Sequence, residues 1–100
     1  MSTFRHMLMI RYRDDVTDRQ KKDLFEGFAR MPQVMGFIRR YEFGHDLGNL
    51  GPGTPDVGLV ADFDSEEDWR RYSANPEHAA FAELVKTVSA ELIRVQYLVE

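Results

Sequence analysis

Three side chains suited to acid–base chemistry or ligand contact, Trp69, Tyr72 and His78, lie within one stretch of ten residues. A neutral imidazole can take a proton from a carbon between two carbonyl groups, and a phenol can donate a hydrogen bond to the resulting enolate. This combination predicts a site in which His78 is the general base and Tyr72 is the hydrogen-bond donor. The competing interpretation is that His78 only helps to cap a helix and Tyr72 only fills the core.

An Asn-Pro corner separates the two residues. Asn75 is a favourable helix N-cap, and Pro76 suits the first position of a helix, where its missing N–H would have had no partner. His78 is therefore expected in the first turn of a new helix. The positive end of the helix dipole disfavours an imidazolium, so we expect His78 to be neutral at physiological pH.

The two other histidines have different settings. His6 shares the apolar face of a predicted strand with Phe4, Leu8 and Ile10. There it is either a satisfied core residue or a third member of the site. His45 borders a loop and is expected to be solvated. The chain has no cysteine, and its three histidines lack Glu or Cys at ligand spacing, so no metal site is predicted.

Hydrophobic patterning predicts four strands. Alternating residues mark strands from Phe4 to Tyr12, from Phe37 to His45 and from Ile93 to the C-terminus. A dense apolar run from Val57 to Phe63 indicates a buried central strand. The glycine- and proline-containing segment from Asp46 to Pro55 is predicted to be a surface loop, and its glycines lack the spacing of a phosphate-binding loop.

Helices are predicted between these strands. Thr17 and Gln20 form a capping box that opens the first helix, which is expected to end at Pro32. Its apolar stripe consists of Leu24, Phe25, Phe28, Ala29 and Met31. Ser65 opens a second helix, which Pro76 ends or kinks. Apolar residues at three- and four-residue steps then predict a third helix: Phe81, Leu84, Val85 and Val88.

The predicted order is strand, helix, strand, strand, helix pair, strand, which is typical of the ferredoxin-like split βαβ arrangement. We therefore predict a single α+β domain over residues 1–100, with a four-stranded antiparallel sheet and helices on one face only. The first strand carries apolar residues on both faces, and the face without helices must find cover. A second copy of the chain would cover it, which predicts a homodimer joined through the sheet face.

Composition argues against several classes of partner. The net charge of −4 offers no basic surface for nucleic acid. The N-terminus lacks the apolar run of a signal peptide, and no stretch approaches ~18 uninterrupted apolar residues, so no membrane span is predicted. The resulting expectation is a cytoplasmic protein.

Four segments carry a resemblance to a known family: residues 4–6, 32–36, 63–65 and, most clearly, 72–81, which read Tyr-Ser-Ala-Asn-Pro-Glu-His-Ala-Ala-Phe. In these segments the chain resembles the stress-responsive A/B barrel family, one branch of the dimeric α/β barrel superfamily. The resemblance extends over nearly the whole chain. It implies a ferredoxin-like protomer whose exposed sheet face packs against a second copy.

The resemblance also implies an activity. One plant member of the family is a polyketide cyclase, which closes a linear poly-β-keto thioester by an intramolecular aldol step. Its catalytic Tyr and His match Tyr72 and His78, and a first-strand His matches His6. Where that cyclase carries an aromatic hydroxyl in its first helix, this chain has Phe28. Where many members have His or Asp before the proline, it has Asn75.

These observations predict an apolar cavity between the sheet and the helices that binds a small apolar or polyketide-like molecule without metal or cofactor. The predicted catalytic residues are His78, Tyr72 and His6, and five apolar residues are expected to contact the ligand: Leu8, Ile10, Phe28, Trp69 and Phe81. Two alternatives stay open. One is a non-catalytic, stress-related dimer with a filled core. The other is a haem-degrading monooxygenase, a class that uses a Trp, a His and a first-strand Asn. His6 at the position of that Asn weakens this interpretation.

Overall fold

The alternating and periodic segments fold into a four-stranded antiparallel sheet with three helices on one face, in a computed structural model that describes residues 2–100. The strands are β1 (Thr3–Tyr12), β2 (Arg40–His45), β3 (Val57–Phe63) and β4 (Ser89–Val99). The helices are α1 (Asp18–Val34), α2 (Glu66–Ala74) and α3 (Pro76–Val88). The strand order β2-β3-β1-β4 is the ferredoxin-like topology, which confirms the predicted fold class.

The core lies between the sheet and the helices. β1 is central, and its residue His6 stands opposite Ala61 of β3 and Gln96 of β4. Strand alternation turns every second residue of β1 and β3 toward the helices, and most of these residues are buried. The largest fully buried side chains come from both layers: Phe28, Phe63, Ile10, Leu24 and Met31.

The capping box at the start of α1 is present. The Gln20 N–H donates to Thr17 Oγ1 at 3.1 Å, and the Thr17 N–H donates to Gln20 Oε1 at 3.0 Å. The predicted end of the helix at Pro32 is wrong, because α1 continues to Val34. Pro32 lies in the last turn, where it removes a single backbone hydrogen bond. Ala29, predicted on the apolar stripe, is exposed.

Two strand boundaries also differ from the prediction. β2 begins at Arg40 instead of Phe37, since the Ile38 N–H donates to the Met35 carbonyl oxygen at 3.2 Å in a turn. Side chains at positions 37 and 38 nevertheless pack on the core. β4 begins at Ser89, earlier than the predicted Ile93, because it pairs with the whole of β1 as far as position 12.

The face of the sheet away from the helices is apolar and uncovered. We call it the open sheet face, and its central residues are Met7, Met9, Val60, Ile93, Val95 and Tyr97. Met9, Ile93, Val95 and Tyr97 are between 40% and 51% exposed. Among the helices of the described residues, none is both long and apolar enough to span a membrane.

Candidate functional site

The Asn75-Pro76 corner brings Tyr72 and His78 together. The Asn75 N–H donates to the Tyr72 carbonyl oxygen at 3.2 Å and so ends α2. The side-chain Oδ1 of the same residue accepts a hydrogen bond from the Glu77 N–H at 2.9 Å and so begins α3. Because Asn75 caps both helices, α3 begins directly after α2 and changes direction at this residue. The centroids of the Tyr72 and His78 rings lie 4.4 Å apart, at an interplanar angle of 56°.

These rings form part of the wall of a cavity of about 130 Å³ between the sheet and the helices. The lining includes seven of the eight residues predicted for the site: His6, Leu8, Phe28, Trp69, Tyr72, His78 and Phe81. They come from β1 and all three helices. The structure therefore assembles nearly all of the predicted residues around one space.

Ile10 is the exception, because it does not line the cavity. Its side chain is fully buried, and its neighbours in the sheet are Val57 of β3 and Leu92 of β4. Alternation assigns Ile10 to the same face as His6, but it does not state how far along the strand the cavity extends. Ile10 is therefore a core residue.

His78 is half-buried, and burial lowers the pKa of its imidazole below the ordinary value. An interaction with the backbone of Ser73 acts in the opposite direction and is the weaker influence. The expected neutral state agrees with this direction. The main cause is loss of solvent, which the prediction, based on the helix dipole, did not include.

Tyr72 is only 3% exposed, and its hydroxyl lies 2.9 Å from the hydroxyl of Tyr41 on β2. Burial raises the pKa of Tyr72 to about 12, while the hydrogen bond with Tyr41 lowers it. Tyr72 is therefore protonated at neutral pH and able to donate. Sequence reasoning missed Tyr41, because only its alternation with Phe43 marked it as core-facing and nothing local connected it with Tyr72.

His6 is held in one tautomer. The amide Nε2 of Gln96 donates to His6 Nδ1 at 3.0 Å, so the proton of the neutral ring is on Nε2. Burial, with smaller contributions from the charge of Arg94 and from interaction with His78, lowers the pKa of His6 to about 4. His6 therefore offers an N–H donor at neutral pH. Its ring lies 6.1 Å from that of Trp69, centroid to centroid.

The third histidine stands apart from this group. His45 is exposed, as predicted, yet its ring stacks on Phe25 at 4.2 Å and its Nε2 lies 2.8 Å from the Tyr12 hydroxyl. Within residues 2–100, no three His, Asp or Glu side chains are grouped so that they could hold a metal ion.

A larger depression, about 650 Å³, lies on the other side of the sheet under the loop that follows β2. Its floor includes Gly44 and Gly58, which face each other across β2 and β3 on the open sheet face. The exposed side chains of Leu47 and Leu50 overhang it. It is wide and shallow, and its lining is mainly apolar, so the smaller cavity, which contains Tyr72 and His78, is the better candidate for chemistry.

Comparison with known proteins identifies a family. The family model for the Stress Responsive A/B Barrel Domain matches residues 4–99. A curated relative, Stress-response A/B barrel domain-containing protein HS1 of Arabidopsis thaliana, is 26% identical over 80 residues, which are 78% of this chain and 72% of that protein.

Solved structures show the same fold. A dimeric ferredoxin-like protein of unknown function from Thermobifida fusca has a TM-score of 0.87 and 30% identity, over 98% of this chain and 92% of that chain. A hydroxynitrile lyase from Passiflora edulis has a TM-score of 0.88 at 16% identity, over 98% of this chain and 94% of that chain. At 16% identity the similarity to the lyase shows a shared fold alone.

Proposed function

Because the chain belongs to the stress-responsive A/B barrel family, we propose that it binds a small molecule beside His78 and acts on it as a cofactor-independent cyclase of the polyketide cyclase type. One observation carries the proposal. A neutral imidazole and a protonated phenol, with ring centroids 4.4 Å apart, share the wall of one cavity. Base and hydrogen-bond donor are the two groups that an aldol cyclisation requires.

In the proposed reaction, His78 removes a proton from a carbon that lies between two carbonyl groups. The resulting enolate attacks a second carbonyl carbon of the same molecule, so that a carbon–carbon bond forms and the attacked oxygen becomes an alkoxide. Tyr72 donates a hydrogen bond to the oxygen on which negative charge develops. The imidazolium of His78 then returns its proton to the alkoxide, and no redox partner or metal is needed.

Two further donors support this arrangement. If Tyr41 donates to the Tyr72 oxygen, the Tyr72 proton is directed toward the cavity, and the second hydrogen bond makes that phenol a stronger donor. The Nε2–H of His6 supplies another polar contact from the same cavity wall. Leu8, Phe28 and Phe81 supply apolar wall, which limits contact of the enolate with water on that side.

The cavity bears on the two alternatives. A purely structural dimer predicts a filled core, whereas about 130 Å³ is open beside His78. The haem-degrading alternative is not favoured, because position 6 is His where that class of enzyme uses a first-strand Asn. The hydroxynitrile lyase from Passiflora edulis has the same fold, so the scaffold is compatible with an enzyme.

We further propose that the protein is a homodimer joined through the open sheet face. That face leaves Met9, Ile93, Val95 and Tyr97 partly exposed side by side, and burying them would remove apolar surface from water. The similar protein from Thermobifida fusca is described as dimeric. The cavity lies on the opposite side of the sheet, so association would leave it accessible.

The cyclase proposal is tested with a linear poly-β-keto thioester and chromatographic detection of the ring product. His78→Ala and Tyr72→Phe should each lower turnover by roughly 10²- to 10⁴-fold, the usual contribution of a positioned acid or base. His45→Ala is the matched control, since this histidine lies outside the cavity, and it should retain full turnover. Unchanged turnover in both cavity variants, or no turnover by the native protein, would contradict the proposal.

A further inference from the structure

Arg94 differs from every other arginine in the part of the chain that the structure describes. The others donate hydrogen bonds to carboxylates or to a backbone carbonyl oxygen, as Arg5 does to Asp62 at 2.8 Å and Arg30 to Glu77 at 3.0 Å. Within residues 2–100 the Arg94 guanidinium forms no hydrogen bond or salt bridge with the protein, and the residue is exposed. A guanidinium has five N–H donors, so those of Arg94 are open to solvent or to a ligand.

The unused donors lie at the candidate site. Arg94 is on β4 opposite Leu8, on the helix-facing side of the sheet, and it lines the cavity that contains His6 and His78. It also lines an adjoining depression of about 450 Å³, which it shares with His6 and Trp69. Arg94 therefore stands where the two spaces meet.

The electrostatic character of this region is the reverse of that of the whole chain. The protein carries a net charge of −4, yet no Asp or Glu lines the cavity or the adjoining depression. Two cationic side chains, Arg94 and Lys86, line the cavity. The Lys86 ammonium lies 3.6 Å from a Glu83 carboxylate oxygen and is partly neutralised, which leaves Arg94 as the dominant charge. The positive charge of Arg94 also contributes to the lowered pKa of His6.

We infer that Arg94 is the anchor for a carboxylate, and that the cavity selects small carboxylic acids with a flat or apolar body. The inference rests on the proposed ligand binding at this cavity and not on the thioester cyclisation, since a thioester group carries no carboxylate for Arg94 to bind, and it names a class of ligand. A guanidinium matches a carboxylate through two parallel hydrogen bonds, which distinguishes this class from neutral amides and esters of similar shape. Leu8, Phe28 and Phe81 supply apolar contacts for the body of the ligand.

Benzoate and benzamide are suitable probes, because they share a shape and differ in charge. The single tryptophan of the chain, Trp69, lines the site, so its fluorescence reports on binding directly. Benzoate should bind at least about tenfold more tightly than benzamide, the discrimination expected of one charge-assisted contact. Arg94→Gln should abolish this preference, and Arg94→Lys should retain part of it. Arg19→Gln is the control, since that side chain is 82% exposed on α1, and it should not alter binding.

Equal affinity for the two probes would overturn the inference, as would failure of benzoate to alter Trp69 fluorescence at millimolar concentration. Unchanged benzoate binding by Arg94→Gln would also overturn it. The ratio of the native protein's affinities for benzoate and benzamide tests the inference even if a variant fails to fold. The result is independent of the cyclase test, because binding of benzoate requires no turnover. If the protein cyclises the thioester but does not prefer benzoate, the proposed function holds and the carboxylate anchor is contradicted.

Discussion

His6 shows how burial of one ionisable side chain makes the stability of the fold depend on pH. The pKa of His6 is about 4 in the folded protein and about 6.5 when it is exposed in the unfolded chain. Between these values the unfolded chain binds a proton that the folded protein excludes. The free energy of unfolding is therefore unaffected above pH 6.5 and falls as the pH is lowered toward 4. Arg94 and His78 face His6 and strengthen the effect.

We predict that lowering the pH from 6.5 to 5 reduces the free energy of unfolding by up to about 2 kcal/mol through His6. Urea denaturation at the two pH values measures this loss. His6→Asn removes the titrating group while it keeps a polar side chain, so its stability should vary less over the same range. An identical pH dependence in the native protein and the variant would contradict the assignment.

The hydroxyl pair of Tyr41 and Tyr72 gives a second prediction at this scale. Tyr41→Phe leaves the buried Tyr72 hydroxyl without its partner and should cost about 1–2 kcal/mol of stability. Tyr41→Phe combined with Tyr72→Phe should cost less than the sum of the single changes, because no unpaired hydroxyl remains. Chemical denaturation of all four proteins completes the cycle, with the half-exposed Tyr97→Phe as control. Strict additivity would show that the two hydroxyls are independent.

The sequence revealed the site residues that lie in one local motif and missed those that come from distant strands. Tyr72 and His78 flank a corner whose capping residues are adjacent in the sequence and can be recognised there. Tyr41 is 31 positions from Tyr72, and Gln96 is 90 positions from His6. Alternation assigns such residues to a face of the sheet but does not determine which of them stand opposite one another, because register depends on the assembled sheet.

At the scale of elements, Asn75 controls the junction between α2 and α3. Asn75→Ala removes the Oδ1 acceptor for the Glu77 N–H and should lower stability by about 1 kcal/mol. Asn75→Asp keeps a capping oxygen and should remain close to the native protein. Thermal denaturation compares the three, and equal losses for both substitutions would show that the cap is unimportant.

Gly27 fixes how closely α1 approaches α3. A Cβ added at this position would overlap Cδ1 and Cε1 of Phe81, whose ring packs edge-on against Phe28 and lines the cavity. Alanine in a helix is favoured over glycine by about 1 kcal/mol, but forcing an extra carbon into a packed contact costs about 1–3 kcal/mol.

We therefore predict that Gly27→Ala is destabilising in the native background. In a Phe81→Leu background the contact is relieved, and the same substitution should become neutral or stabilising. Denaturation curves for the four proteins separate the two effects. Destabilisation of equal size in both backgrounds would contradict the role assigned to the Phe81 ring.

Helix starts were more predictable than the end of α1 or the starts of β2 and β4. Capping at Thr17, Ser65 and Asn75 defines three helix starts through local hydrogen bonds. The end of α1 beyond Pro32 and the late start of β2 depend on packing against other parts of the fold. A proline is tolerated in a last turn that is otherwise well packed, and apolar residues before β2 fill the core without pairing in the sheet.

At the scale of the whole molecule, one sheet separates two kinds of surface. The helix-facing side encloses the cavity with its polar rings and its free guanidinium. The open sheet face is apolar at its centre, while the charges Arg5, Arg11 and Arg40 around it are paired with Asp62, Glu91 and Glu42. This division allows association and ligand binding to be tested separately.

The proposed dimer leads to the final prediction. Ile93 is 41% exposed beside Met9 at the centre of the open sheet face, and Ile93→Glu would place a carboxylate from each protomer in an apolar interface. Analytical ultracentrifugation should find the native protein at twice the 11.7 kDa mass of one chain, and the variant at the mass of one chain. Val34→Glu is the matched control, since this residue is apolar and 39% exposed but lies on α1, and it should remain dimeric.

The monomeric Ile93→Glu variant should still prefer benzoate over benzamide, because the cavity is on the other side of the sheet. A monomeric native protein, or a dimeric Ile93→Glu variant, would show that the open sheet face is not the interface.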